Sequence, residues 1–172
     1  MPLVLTLLCR NTYTTDDLHR RISLLHTSLE EVLYVETSSE SSNVFERGIA
    51  HAQTLGTSED VAALTQWGEE VWGAFNERTL SDSMQKLKAL VEHVPVFVLY
   101  LPVAFDNVSL AVLGEWCRDY VHENVLLEVH IDPAVVGGCA FVAKDTTYHD
   151  ASFTSLLRTH SGLITTLLSS YA

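Results

Sequence analysis

The sequence predicts an α/β (α+β) protein: a helical N-terminal part with a short strand, then a small α/β domain on a mixed sheet. Three observations lead there. Apolar residues recur at helical spacing through most of the first half, as in Leu18, Ile22, Leu25 and Leu29. Two β-prone runs, Val96–Leu101 and Val125–Ile131, bracket a further helical pattern, the order of a right-handed crossover with parallel strands. Beyond them a turn at Asp132-Pro133 and the pair Gly137-Gly138 lead into a β-hairpin and a long amphipathic C-terminal helix.

Taken in order, the opening apolar run from Met1 to Leu8 reads as a strand. It lacks a basic start and is cut off at Arg10-Asn11, too soon for a signal peptide or a membrane span. Thr14 and Asp17 have capping-box spacing ahead of a helix of about four turns. Val32–Val35 is β-prone, and the polar run from Thr37 to Ser42 reads as a solvated connection. A second helix spans Val44–Leu55 and stops at Gly56; Thr57 and Asp60 cap a third carrying Val61, Leu64, Gly68, Val71, Trp72 and Phe75. Trp67 and Trp72 suit either a ligand cage or core packing, and no convergent polar group accompanies them.

Residues 1–78 thus form a mostly helical part and 79–172 an α/β unit. Within the second, Ser81 caps a helix with Met84, Leu87, Leu90 and Val91 on its apolar face. The strand Val96–Leu101 follows and closes at Pro102; Asp106 or Asn107 caps a helix with Leu110, Leu113, Cys117, Tyr120 and Val121 inward. Asp132-Pro133 ends the next strand, because proline cannot donate to a ladder and aspartate closes turns. Gly137-Gly138 permits close backbone approach before a strand over 139–143. Lys144-Asp145-Thr146 turns the chain, 147–149 returns it, and Asp150 can accept from the first amides of the last helix. That helix lines up Phe153, Leu156, Leu157, His160, Leu163, Ile164, Leu167, Leu168 and Tyr171, a stripe that either packs internally or receives a partner helix.

Charge narrows the function classes. A formal net charge of −12 disfavours nucleic acid, whose phosphates need Lys and Arg, and disfavours anionic lipid for the same reason. A partner with a basic surface suits it. Three cysteines, Cys9, Cys117 and Cys139, form no C-x-x-C pair, so neither a disulfide framework nor a zinc knuckle is indicated, and a reducing compartment is the simplest setting. Among eight histidines, His130-x-Asp132 and His149-Asp150 fall at expected strand ends and no metalloprotease-type helix pair occurs. Cys117 reads as a buried structural thiol. The glycine pair has no phosphate-binding context. No catalytic residue, metal or cofactor is expected.

The spacing of Asp132, Pro133, Val135, Val136, Gly137, Gly138, Tyr148, Asp150 and Ser152 resembles the hairpin of the δ subunit of bacterial F-type ATP synthases, the family of the mitochondrial oligomycin-sensitivity-conferring protein. The resemblance covers roughly residues 79–172. Family members carry basic residues in the hairpin and in the first turns of the final helix, where this chain has Lys144 and Arg158 only, and they begin with a helical bundle of six members that grips the α subunits of the catalytic head. This chain is expected to open with a strand and about three helices instead.

What the resemblance implies is a non-catalytic stator part that ties the catalytic head to the peripheral stalk. Its partners would be the b subunits and, at the N-terminal end, the α subunits, with no nucleic acid and no insertion into the membrane. Its place would be the cytoplasmic face of the cell membrane, reached through the complex. Phe153, Leu156, Leu157, Leu163, Ile164, Leu167 and Leu168 are then the partner-binding helix. The alternative is a free-standing adaptor or regulator that binds another helical partner through the same domain.

Overall fold

A computed structural model of the chain describes residues 2–35, 43–142 and 148–162. These form a mixed α/β fold of seven α-helices and a four-stranded mixed sheet. The helices α1 (Pro2–Arg10), α2 (Thr15–Glu30), α3 (Val44–Leu55), α4 (Ser58–Gly73) and α5 (Leu80–Val91) come first. There follow β1 (Val96–Leu101), α6 (Asn107–Tyr120), β2 (Leu126–Ile131), β3 (Gly138–Val142), β4 (Tyr148–Ser152) and α7 (Phe153–Thr159).

The capping signals place two of the early helices well. Thr14 accepts from the Asp17 amide at 3.1 Å and Thr57 from the Asp60 amide at 3.2 Å. Other expectations give way to tertiary contacts. The opening run is helical rather than a strand: Val4, Leu8 and Cys9 turn inward while Leu3 is exposed. A short apolar run does not distinguish a buried strand from a buried helix, leucines favour the helix, and Pro2 sits where a helix has no amide bond to lose. Glu31–Val35 is a π-helical turn at the end of α2 rather than a β-prone piece, with Arg47 donating to the Val32 carbonyl at 3.0 Å. Ser81 is not a cap. Leu80 already begins α5, and Asn76 ahead of it accepts from the Thr79 amide at 3.0 Å.

One core joins the helices. Leu18, Leu25, Leu64, Trp72 and Leu87 are fully enclosed in it, and Trp67 packs in the same core. The apolar face of α5, read from sequence with the C-terminal unit, also lies in this helical core, as does Leu126 of β2. A second, smaller core lies between the sheet and α6, around Leu99, Cys117, Val125 and Leu127.

The sheet order is β2-β1-β3-β4. β1 and β2 are parallel, pairing Val96 with Leu126 through Leu101 with Ile131, as the strand–helix–strand order requires. β3 runs antiparallel to β1 and forms a hairpin with β4. The outer edge of β2 is met by the chain before α2: the Leu127 amide donates to the Tyr13 carbonyl at 2.8 Å, and Thr14 bridges Leu127 in parallel. On α6, Leu110 and Leu113 are half-buried and Cys117 is buried, but Tyr120 and Val121 are exposed rather than inward, with the Tyr120 ring lying beside that of exposed Trp116, ring centres 5.2 Å apart.

Candidate functional site

The hairpin begins where β2 ends. Asp132 Oδ1 accepts from the Ala134 amide at 2.9 Å and the Asp132 carbonyl from the Val135 amide at 3.0 Å, a turn that buries Val135 and leaves Pro133 and Val136 exposed. Gly137 and Gly138 follow at φ 62° and φ 96°, a backbone that L side chains rarely adopt. At Gly138 a Cβ would stand 2.5 Å from the Ala151 carbonyl oxygen, so β3 and β4 approach closely only because it is absent.

Asp150 lies within β4 and does not cap the helix. Its Oδ1 accepts from the Ser152 amide at 2.9 Å, and Ser152 is the cap, accepting from the Ser155 amide at 3.2 Å. The reason is that β4 continues to Ser152, pairing with Gly138, and leaves Asp150 too early in the chain to reach the helix amides. Hydrogen bonding by Ser152 holds the Asp150 carboxyl below the usual carboxylate range. Tyr148, exposed at the start of β4, meets Tyr100 edge-on with ring centres 6.1 Å apart.

Of the expected partner helix, α7 places Phe153, Leu156 and Leu157 at the surface, and His160 follows it, also exposed. Leu163, Ile164, Leu167, Leu168 and Tyr171 lie outside the described residues, as do the turn at Lys144-Asp145-Thr146 and Thr147.

The histidines and cysteines near the sheet are engaged in packing. His130 stacks on Tyr100 at 5.3 Å and faces Glu128 across 2.8 Å, while His149 stacks on Phe141 at 5.0 Å. Burial raises the pKa of the Cys9 and Cys117 thiols, the wrong direction for a thiolate nucleophile. Among the described residues no group of three or more His, Cys, Asp or Glu is arranged to hold a metal ion.

Two arrangements escaped the sequence reading. The first is a polar joint between the helical core and the sheet. From the helical side, Arg21 donates to the Asn11 carbonyl at 2.8 Å and to Thr12 Oγ1 at 2.9 Å. From α6, Arg118 donates to the carbonyls of Arg10 and Thr12 and lies over the Tyr13 ring, 4.5 Å from its centre. The Tyr13 hydroxyl donates to Glu115 at 3.0 Å, and a Cβ on Gly114 would fall 2.5 Å from the Tyr13 ring. Asn107 adds a bond to Glu59 of α4 at 2.6 Å.

Beneath the joint sits Asp60, 1% exposed, which accepts from Arg20 at 2.8 and 2.9 Å, from Arg21 at 3.2 Å and from the Thr57 hydroxyl at 2.9 Å. Burial alone would raise its pKa; the hydrogen bonds from Arg20, Thr57 and Arg21 outweigh that and hold it at about 2. A cleft of about 280 Å³ opens beside the joint, but the charges on its wall are already engaged: Asp17 by Arg20, Arg21 by Asp60 and Glu59 by Asn107. It is a seam between elements and offers no converging free group to a substrate.

The second arrangement is a row of large apolar side chains on the outer side of α6: Val108, Val112, Trp116 and Tyr120. Its four-residue spacing was visible in the sequence. Tyr120, expected on the inward set, belongs to this outer row.

Among the described residues no helix is long and apolar enough to cross a membrane. No family model matches the chain, and no curated protein matches it.

Proposed function

We propose that the chain is a non-catalytic peripheral-stalk subunit of a proton-translocating F-type ATP synthase, of the δ type, holding the catalytic head to the b-subunit stalk. The observation that carries this reading is the hairpin. Asp132 closes the turn, Gly138 leaves no space for a side chain, and Ser152 caps α7, each at a position matching the δ-subunit motif. A stator must transmit load without yielding, and the double grip of Arg21 and Arg118 on residues 10–13 suits that demand.

The N-terminal half lends further support. Among the described residues, 1–78 give four α-helices, five rods with α4 broken at Gly68, and α5 adds Leu80, Met84 and Leu87 to the same core, closer to the family's bundle than a strand and three helices. In this reading that half meets the α subunits, and α7 with Phe153, Leu156 and Leu157 faces the stalk. The net charge of −12 complements basic stretches on a helical partner. The protein sits at the cytoplasmic face of the cell membrane through the complex and needs no cofactor.

Co-expression with the b and α subunits of its own ATP synthase, followed by affinity purification, tests the proposal. The wild-type chain is expected to co-purify with b, and the folded Gly137→Val/Gly138→Val chain to lose it. If the wild-type chain captures neither subunit, the stalk assignment fails and a free-standing adaptor remains.

A further inference from the structure

The geometry points to a second docking surface on this protein, the outer face of α6, and to its occupant: an amphipathic helix of a partner protein carrying lysines or arginines beside its apolar row. Val108, Val112, Trp116 and Tyr120 are 74%, 64%, 51% and 74% exposed. They follow one another at four-residue spacing over about 18 Å of helix, opposite the side that packs on the sheet. Trp116 and Tyr120 lie with ring centres 5.2 Å apart, forming a broad aromatic end to the row. A continuous exposed row of this kind is uncommon on a protein surface that meets only water, and Trp and Tyr are the side chains that dominate binding interfaces.

Charge selects the occupant. Glu115 and Asp119 are exposed beside the row, whereas Arg118, the one basic residue of the helix, is turned to the carbonyls of Arg10 and Thr12. The charged side chains that α6 itself sets beside the row are therefore acidic, with Glu115 also accepting from the Tyr13 hydroxyl. A second copy of the chain would bring the same acids together between two molecules of net charge −12, and anionic lipid would be repelled likewise. A helix matches the shape, because a straight row on α6 fits the groove between i and i+4 rows of another helix. The inference rests on α6 and does not depend on the stalk assignment, which rests on the hairpin.

The test uses the full chain and a labelled synthetic helix of Leu, Ala and Lys, with its leucines on one face and lysines flanking them. A matched peptide with Glu for Lys serves as control. Trp116 is the exposed tryptophan of the three, so seating of the peptide shifts its emission to the blue, while fluorescence anisotropy gives the affinity. The Lys peptide is expected to bind saturably and more weakly as salt is raised, and the Glu peptide not to bind. Val112→Gln and Tyr120→Gln, which leave the charge unchanged and lie away from both cores, should each weaken binding about tenfold with an unaltered circular dichroism spectrum. Asp119→Asn should flatten the salt dependence. Equal binding of the Lys peptide by wild type and both Gln variants would reduce the effect to bulk charge and overturn the proposal. So would equal binding of the Glu peptide, no binding of the Lys peptide, or self-association that Val112→Gln abolishes.

Discussion

Single residues already separate two kinds of glycine in the hairpin. Gly137 and Gly138 both have positive φ, but a Cβ at Gly137 meets only the Phe153 side chain at 3.2 Å, whereas at Gly138 it meets backbone oxygen at 2.5 Å. Gly137→Ala should cost about 1 kcal/mol from backbone strain, and Gly138→Ala about 3 kcal/mol or more, since β4 has to shift as well. Urea unfolding of the two variants measures the order, and equal losses would contradict the close approach of β3 and β4.

Asp60 makes a pH-dependent prediction at the same scale. Its folded pKa of about 2 lies below its ordinary value of 3.8. The unfolded chain therefore takes up the proton first as pH falls. The stabilisation is fully present above about pH 4 and is lost as pH drops toward 2, amounting to about 2 kcal/mol. Asp60→Asn should remove that part of the acid dependence while lowering stability at neutral pH, because Arg20 and Arg21 lose their shared carboxylate. Denaturant titrations of both proteins across this range give the measurement.

At the scale of elements, α4 carries the clearest departure from regular geometry. Gly68 has φ 72° and ψ 177° inside it, so two rods meet at that point instead of one helix passing through. For a glycine in a continuous helix, alanine would stabilise by up to about 1 kcal/mol. Here Gly68→Ala should destabilise by about 1 kcal/mol or more, although the space around it is open, because the strain lies in the backbone. Thermal unfolding decides the sign. The kink sets Trp67 and Trp72 of the two rods into one core, and Trp72 lies against Gly48 of α3, where a Cβ would fall 2.0 Å from its ring.

For the whole molecule, the joint around residues 10–14 governs whether the two cores act together. Leu126 already reaches the helical core, and the Leu127 amide ties β2 to Tyr13, but Arg118 makes the most bonds across the seam. Arg118→Leu should cost about 2–3 kcal/mol, the worth of charge-assisted bonds to two carbonyls that then stay unpaired. It should also split a single unfolding transition in two. Trp116 reports on the sheet half and Trp67 with Trp72 on the helical half, so a Trp116→Phe background separates the signals. Coincident transitions in the Arg118→Leu protein would show that packing at Leu126 suffices to couple the halves.

The sequence by itself determined the elements whose signals are local. Thr14, Thr57 and Asp106 announced their helices through caps that need only neighbouring amides, and Asp132, Gly137 and Gly138 announced the hairpin through backbone angles that other residues resist. The parallel pairing of β1 and β2 followed from the helix between them. Tertiary structure decided the rest. An apolar run such as Leu3–Leu8 suits strand or helix until a core with one shape receives it, and which of the two cores takes Leu80, Met84 and Leu87 of α5 is set by the packing of the helices as a whole. The grip of Arg118 on Arg10 and Thr12 joins residues more than a hundred positions apart, a distance over which no spacing rule operates. The outer row of α6 became visible as a surface only once its opposite side had been buried, because a sequence shows that a helix has two apolar faces but not which of them the fold leaves open.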